Sequence, residues 1–414
     1  MVIISNGFNK FHLSVAAAEA NKRGLLSSFI TGAYPTPAVR KILVLPGVNS
    51  SRKLQRLSAR GEAIPDTLIG HLWRAEARCV LADLAHKFGN GTPAVASVAA
   101  YRQYGHQAVR YVREAAARGA RIYHYRAGFG HASVRVAKEL GLFTLCDHSI
   151  AHPAVLQFLV NHGGRLPLAG EPVEVDSFWT DVLDDINQAD AVLVNSYFVQ
   201  RTFLHQGYEA GRIHVAFLGV DDAFLTAIPS GERQSYPEGP LRMLFAGTFE
   251  PRKGANVLIR ALAEPLAGLP WELQIAGRID DRLRSEASGF FDDARVTSLG
   301  VLSRDELASA MSQAEVFAFP SLAEGSARVI FEALACGCYV ITTPNSGSIV
   351  ENGVHGALVP PGDAVALAGA IRQAFADRST LRDIGLCNAA LVRSHYRQSD
   401  YGNKLASLYA ALIN

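Results

Sequence analysis

Residues 316–347 read VFAFPSLAEGSARVIFEALACGCYVITTPNSG, and the fold is decided by this stretch. Residues 316–319 form a short apolar, aromatic run that stops at Pro320, as a buried strand does. The following loop presents Glu324 and Gly325, and a helix is predicted to open near Ser326. That helix carries Glu332 in its second turn and is closed by Gly337, after which CYVITT reads as a second strand. Strand, loop, helix and strand in this order form the repeating unit of a parallel sheet. A helix that starts at the carboxyl edge of such a sheet offers its unpaired N–H groups to an anion. Ser326 is expected to cap it, so that backbone N–H groups from Ala327 through Arg328 to Val329 face a diphosphate. Glu324 then sits beside the ligand, and Glu332 is placed to accept from ribose hydroxyls. Taken singly, Glu332 is an ordinary helix glutamate and Glu324 a complement to the helix dipole.

Outward from this stretch the same alternation continues in both directions. On the N-terminal side, MVIIS reads as a strand, SNGFNKF as a loop and HLSVAAAEANKRG as a helix stopped by Gly24. Strand-like runs recur at RKILVL, ARIYHY, LFTLCD and AVLVNS, and HASVRVAKELG has helical spacing. TAIPSGERQSYPEGP, residues 226–240, is rich in Pro, Gly, Ser and charge and reads as a linker. After it come LRMLFAG, WELQIAG, RVTSLG and ALVPP as strands, with ANVLIRALAE and SRDELASAMSQA as helices. The stretch from Asp363 onward is rich in alanine and leucine and is expected to be helical. The prediction is an α/β protein of two Rossmann-like doubly wound domains, 1–225 and 241–395.

Composition removes several classes. With 414 residues, 49% of them apolar and 19% charged, the chain has the makings of large cores and not of a disordered polymer. No run approaches the ~18 apolar residues that span a bilayer. MVIISNGF lacks a secretory leader, so a cytoplasmic location is expected. The cysteines number five, and Cys336-Gly-Cys338 has no partner pair, so neither a disulfide framework nor a zinc site emerges. A P-loop, H-E-x-x-H and G-x-S-x-G are all absent. Gly89-Asn90-Gly91 follows a helix-like stretch and reads as a turn. There is no Asp-x-Asp triplet to hold a divalent cation on a diphosphate, and Asp184-Asp185 and Asp280-Asp281 read as solvated charges. No metal or other cofactor is expected.

Glu324 and Glu332 have seven residues between them. This spacing, within EGSARVIFEALACG, resembles the signature of family 4 retaining glycosyltransferases, which have the GT-B fold. Three other regions are similar to the same family in the same order. LRMLFAGTFEPRKGANVLIRAL resembles its phosphate loop. ADAVLVNSYFVQRTFLHQGY with IHVAFLGVDDAFL resembles its domain junction, including Gly219-Val220-Asp221. GSIVENGVHGALVPPGDAVALAGAI resembles the stretch before its C-terminal helices. The resemblance is strong over about 190–375 and looser before that. It implies that residues 396–414 form a helix crossing back to the first domain, and that the second domain binds a nucleotide sugar.

By this resemblance Arg252 and Lys253 hold the donor diphosphate, fixed cations supplying the charge a metal would otherwise bring. The arginine usual just after Gly247 is replaced by Thr248, and Arg252 is expected to take its role. Gly247 and Gly277 end strands at the cleft, where a side chain would block the ligand. Arg278 reaches for phosphate or base, and Gly300-Val301-Leu302 resembles the segment whose backbone pairs with the nucleobase. In the first domain, Asn6-Gly7 stands where the family has a glycine-rich loop without the doubled glycine, and Asn6, Lys10 and His12 lie on the acceptor side. LFTLCDHSIAHP offers either His148 or His152 as the histidine that meets the donor sugar, while Arg126 and His131 lie on a loop expected to face the same cleft.

Charge is distributed unevenly over a chain of net charge +2. Residues 1–60 carry nine Lys or Arg and one acid. A basic region here suits an anionic or membrane-held acceptor, with Arg40, Lys41, Arg52, Lys53, Arg56 and Arg60 as candidates. A solvated basic face is the plainer alternative. The region lacks interleaved aromatics, which argues against nucleic acid. The expectation is a retaining, metal-independent glycosyltransferase that moves a sugar from a UDP- or GDP-sugar to a glycan or lipid-linked acceptor, in polysaccharide or glycolipid synthesis. Peripheral contact with an anionic membrane accompanies that expectation. A sugar-nucleotide epimerase, a sugar phosphate synthase and a catalytically dead glycan-binding scaffold are the competing readings.

Overall fold

The computed structural model describes residues 1–9, 11–43, 57, 60, 63–87, 93–230, 238–263, 266 and 268–413. Lys10, Arg52, Lys53, Arg56, the Gly89–Gly91 turn and residues 231–237 of the 226–240 segment lie outside the described residues.

The first sheet contains β1 (Val2–Ser5), β2 (Leu26–Thr31), β3 (Ile69–His71), β4 (Ile122–Arg126), β5 (Phe143–His148), β6 (Ala191–Val194) and β7 (Ile213–Val215). Their order is β3-β2-β1-β4-β5-β6-β7, with every neighbouring pair parallel. The second contains β8 (Leu241–Ala246), β9 (Trp271–Ala276), β10 (Val296–Gly300), β11 (Val316–Phe319), β12 (Tyr339–Thr342) and β13 (Gly356–Leu358). It is also parallel, in the order β10-β9-β8-β11-β12-β13. The central strands are buried on both faces, which is why they read as continuous apolar runs rather than alternating ones. Helices cover both faces of the first sheet, and two separate buried clusters lie on its two sides.

Strand order reverses between β1 and β4 in the first sheet and between β8 and β11 in the second. Ligands of doubly wound sheets bind in the crevice at such switch points, beyond the carboxyl ends of the strands. The loops found there are Asn6–Gly7 after β1, the residues after β4 and β5, Gly247–Gly254 after β8 and Pro320–Ala327 after β11.

The chain crosses between domains twice, and the crossings touch. Val220 N–H donates to Tyr396 O at 2.8 Å, and Gln398 N–H returns to Val220 O at 3.0 Å. A side chain at Gly219, whose φ is +70°, would overlap the Tyr396 carbonyl. The Gln398–Leu412 helix then lies on the first domain, burying Tyr401, Leu405 and Tyr409 in the cluster that contains Ile4, Leu13 and Leu145. No helix among the described residues is long and apolar enough to cross a membrane.

Two local expectations are corrected. The described part of the run RKILVL, Arg40 to Leu43, is not strand but belongs to a helix, Pro37–Leu43. Pro37 is pre-set for the first helical turn, and a short apolar run has no period of its own to oppose it. Asp185 is not a solvated charge but fully buried. Its carboxylate accepts from the backbone N–H groups of Gly128, Gly130 and His131 at 2.7–2.8 Å. Burial pushes its carboxyl upward from the ordinary range, against those three hydrogen bonds.

Candidate active site

The loop after β8 and the loop after β11 lock together. Leu322 N–H and the Ser321 hydroxyl both donate to Arg252 O, at 2.9 and 3.2 Å. The Arg252 guanidinium donates to Ala323 O at 2.8 Å, to Glu324 Oε1 at 2.7 Å and to Glu250 Oε1 at 2.9 Å. Lys253 Nζ lies 3.2 Å from the same Glu324 oxygen, beneath Gly247 and over the Phe319 ring. Two cations and two carboxylates therefore share one partly buried spot at the switch point. The Arg252 fork is shared by Glu250 and Glu324, so an anion that reaches it competes with two carboxylates. Thr248 stands beside this cluster, half-buried.

Glycines clear the approach. Gly247 and Gly277 have φ of +120° and +142°, and a Cβ on Gly277 would overlap the Gly247 carbonyl. Gly277 N–H donates to Gly300 O at 2.6 Å, which fixes the rim that leads to Val301. Val301 is 75% exposed, whereas Leu302 turns its side chain onto the core, leaving only its backbone for a ligand. The Arg278 side chain is exposed, and its backbone carbonyl accepts from Phe249 N–H at 2.7 Å.

The helix at the cleft is Arg328–Ala335, two residues shorter than expected. Ser326 does not cap it. Ala327 occupies the N-cap without a side-chain hydrogen bond, and its own N–H is spent on Ser346 O at 3.0 Å. The unpaired N–H groups are thereby narrowed to those that follow Ala327, at Arg328 and Val329. Glu332 is mostly buried one turn on, 4.0 Å from Arg328 Nη2, which itself lies 3.4 Å from Asp221 Oδ2. Burial raises the Glu332 carboxyl above its usual range, Arg328 opposes this, and Asp221 adds to it.

The first domain meets this face at Gly325. The Ser196 hydroxyl donates to Gly325 O, and a Cβ on Gly325 would overlap Ser149 O. Asn345 Nδ2 donates to Leu322 O at 2.8 Å and to Gly164 O, joining the domains a second time. Between them lies a cavity of about 470 Å3 whose lining includes His12, Asp147, Ser149, Ser326 and Arg328.

On the first domain's side, Gly7 (φ +77°) lies against Phe129, 2.8 Å from where a Cβ would stand. Asn6 is buried, and its Nδ2 donates to Asn9 O at 2.8 Å, which holds the turn. Arg126 ends β4 with its guanidinium 3.8 Å from the Phe11 ring centroid. His12 Nε2 is 2.7 Å from Asp147 Oδ1, and His124 Nε2 is 3.4 Å from Asp147 Oδ2. Burial alone would raise the Asp147 carboxyl, but the two histidines outweigh it and hold it far below the carboxylate range. In the sequence alone Asp147 reads as a strand-end residue. Its signal was the histidine on the first helix and the one on β4, brought together only by the parallel pairing of β1, β4 and β5.

His148 and His152 both turn towards Phe203, with ring centroids 5.7 and 4.8 Å away. Burial lowers His148 to about 4 and His152 to about 3. His152 is the N-cap of Pro153–Asn161, its Nδ1 accepting from Ala154 N–H at 3.2 Å, and its Nε2 lies 3.4 Å from Tyr208 OH. The neighbouring charges of Asp147 and Arg126 act on His148 in opposite senses. His131 does not join them: its ring bonds Gly128 O at 3.1 Å and lies 3.8 Å from Asp181. Arg60 is likewise not a free basic-face cation, since both its terminal nitrogens bind Glu76, at 2.6 and 2.9 Å.

Two facing Rossmann-like parallel-sheet domains with these loops at their switch points define the GT-B class. Residues 240–377, a third of the chain, match the family described as Glycosyl transferases group 1. The chain is 35% identical over 159 residues to a phosphatidyl-myo-inositol mannosyltransferase of Mycobacterium leprae, covering 37% of this chain and 41% of that protein. It is 26% identical over 238 residues to the amylovoran biosynthesis glycosyltransferase AmsK of Erwinia amylovora, covering 54% and 57%. The matched region thus spans less than two thirds of either relative. The crystal structure of Anabaena HepE in complex with UDP superposes with a TM-score of 0.64 at 17% identity, covering 99% of this chain and 100% of that one.

Proposed function

We propose that the protein transfers a sugar from a nucleotide diphosphate sugar, UDP- or GDP-linked, to a glycan or lipid-linked acceptor, with retention at the anomeric carbon and without a metal. The observation that carries this reading is the Arg252–Lys253–Glu324 cluster beside the Arg328–Ala335 helix N-terminus, at the switch point of a group 1 domain. The relatives named above act in glycolipid and polysaccharide synthesis by their names, and HepE was solved with UDP, which supports the substrate classes.

In this reaction the acceptor oxygen bonds to the anomeric carbon as the bond from that carbon to the phosphate oxygen breaks. The acceptor proton passes to the departing phosphate on the same face. Lys253 and Arg252, with the helix N–H groups, stabilise the charge that develops on the leaving diphosphate. Glu332 accepts from the ribose. Closure of the first domain over the site excludes water and brings in the acceptor.

The test is calorimetry with UDP, GDP, ADP and dTDP in EDTA and in magnesium, on wild type and Glu332→Ala, followed by NMR of the product anomer. One nucleotide is expected to bind in EDTA and to bind much more weakly to the variant. Failure of all four to bind, an absolute need for magnesium, or an inverted product would sink the corresponding part of the proposal.

A further inference from the structure

Arg126 is a cation that the protein leaves without an anion. It ends β4 at the switch point of the first sheet, and among the described residues it forms no ion pair. The hydrogen bond of its guanidinium there is long, from Nη1 to Phe8 O at 3.4 Å. Asp147, its partner in the β4–β5 register, turns one oxygen to His12 at 2.7 Å and the other to His124 at 3.4 Å. Other arginines of the first domain are neutralised, Arg23 by Glu19, Arg60 by Glu76 and Arg102 by Asp181.

The surroundings make the missing partner costly. The guanidinium carbon lies 3.8 Å from the Phe11 ring centroid and 5.0 Å from that of Phe129. Burial pulls the Arg126 pKa below the ordinary arginine value, and the charge of Asp147 only opposes this. A desolvated cation loses hydration that an anion replaces best. The rings attract the cation but supply no acceptor oxygen, so Nε–H and Nη2–H remain unspent. Part of the residue's surface is open, which leaves those donors within reach of a ligand.

Position decides which ligand. Phe11 and Asp147, which flank Arg126, line the cavity between the domains, whereas the Arg252–Lys253 cluster meant for the donor diphosphate belongs to the second domain. An anion at Arg126 therefore stands on the acceptor's side. The planar fork of an arginine matches the paired oxygens of a phosphate or a carboxylate. We propose that Arg126 is a specificity-determining residue, which selects an acceptor bearing a phosphate or a carboxylate over its neutral counterpart. The inference rests on the glycosyl-transfer reading and narrows its acceptor to an anionic one. The apolar collar of Phe11 and Phe129 strengthens the attraction, because charges interact more strongly where water is excluded.

The test is calorimetry on wild type, Arg126→Gln and Arg126→Lys. One arm uses glucose, glucuronate and glucose 6-phosphate, with the matching series from galactose, and the other uses UDP and GDP. In wild type a charged member of a series is expected to bind about tenfold tighter than its neutral parent. Whether the uronate or the phosphate gains identifies the group that is recognised. Arg126→Gln is expected to lose that preference and to bind the nucleotides as wild type does. Arg126→Lys, which keeps the charge without the fork, is expected to fall between. Arg126→Gln removes a desolvated charge that has no carboxylate partner, so it is expected to be as heat-stable as wild type or more so. If wild type binds charged and neutral members alike, or if Arg126→Gln keeps the preference, the inference is overturned while nucleotide binding and the transfer reading stand. A loss in Arg126→Gln confined to UDP or GDP overturns it too, by assigning Arg126 to the donor. If wild type binds no nucleotide yet prefers charged rings through Arg126, the transfer reading fails and the anion site remains.

Discussion

Glu324 Oε1 lies 2.7 Å from Arg252 Nη1, so the carboxylate that borders the proposed transfer site also neutralises a cation meant for the diphosphate. Lys253 shares the same oxygen at 3.2 Å, and Glu250 takes the other arm of Arg252. A diphosphate arriving here competes with two carboxylates for two cations. Charge-assisted pairs are the stronger class of hydrogen bond, and this one is only partly screened. Glu324→Gln is therefore expected to bind the nucleoside diphosphate more tightly, by about threefold to tenfold. Lys253→Ala is expected to weaken it by about tenfold or more. Calorimetry on the two variants measures both signs. Weaker binding in Glu324→Gln would show that the carboxylate supports the cations rather than competing for them.

Gly325 has no room for a methyl group, because Ser149 O and Asn195 occupy the space where the Cβ would stand. Its carbonyl also receives the Ser196 hydroxyl. Gly325→Ala must shift one domain against the other, since the obstacle is backbone and not the end of a flexible side chain. The expected result is a loss of nucleotide-sugar turnover with each domain still folded. Gly289→Ala, at an ordinary φ with nothing within 4 Å of its Cβ, controls for the added methyl group alone. Small-angle scattering and circular dichroism on both variants separate a displaced domain from an unfolded one.

The sequence made the two parallel sheets legible wherever an apolar run stood between turn residues. β1, β4, β5 and β6 and most of the second sheet fell on such runs. β2 escaped because Ser27 and Ser28 break its apolar character, yet both are buried beside β1 and β3. β3 and β7 have three residues each and carry too little pattern to read. The phosphate loop and the Glu324–Glu332 pair were legible because they lie close together in the chain. What stayed hidden needed distant segments to meet. The Arg252–Glu250–Glu324 lock, the His12–Asp147 pair and the Asp185 knot all depend on loops from different strands converging, and spacing along one segment carries no trace of that.

His148 and His152 are buried neutral, at about 4 and about 3, below the ordinary histidine value of 6.5. Both folded values are depressed, so the unfolded chain binds more protons as pH falls from about 6.5 towards 4. The stability associated with each histidine is therefore fully present above pH 6.5 and is lost as pH falls through that window. For His148 alone the loss approaches roughly 3 kcal/mol. His148→Phe, which removes one titrating group, is expected to flatten the fall in urea midpoint between pH 7 and pH 4.5. An unchanged slope would mean that His148 is hydrated or protonated in the folded protein.

Tyr409 OH and His124 Nδ1 are 2.8 Å apart, both wholly or almost wholly buried, and His124 lies in turn 3.4 Å from Asp147. This contact fastens the returning Gln398–Leu412 helix to β4, directly behind the His12–Asp147 pair of the cleft. Tyr409→Phe keeps the ring in the cluster with Ile4 and Leu145 and removes only the hydroxyl. It leaves a buried imidazole nitrogen unpaired, at a cost of about 1–3 kcal/mol. The expected outcome is a lower unfolding temperature together with weaker protection of the His12–Asp147 region in hydrogen exchange, because His124 loses the partner that orients it towards Asp147. A variant that unfolds earlier yet shows unchanged exchange around Asp147 would confine the role of Tyr409 to anchoring the helix.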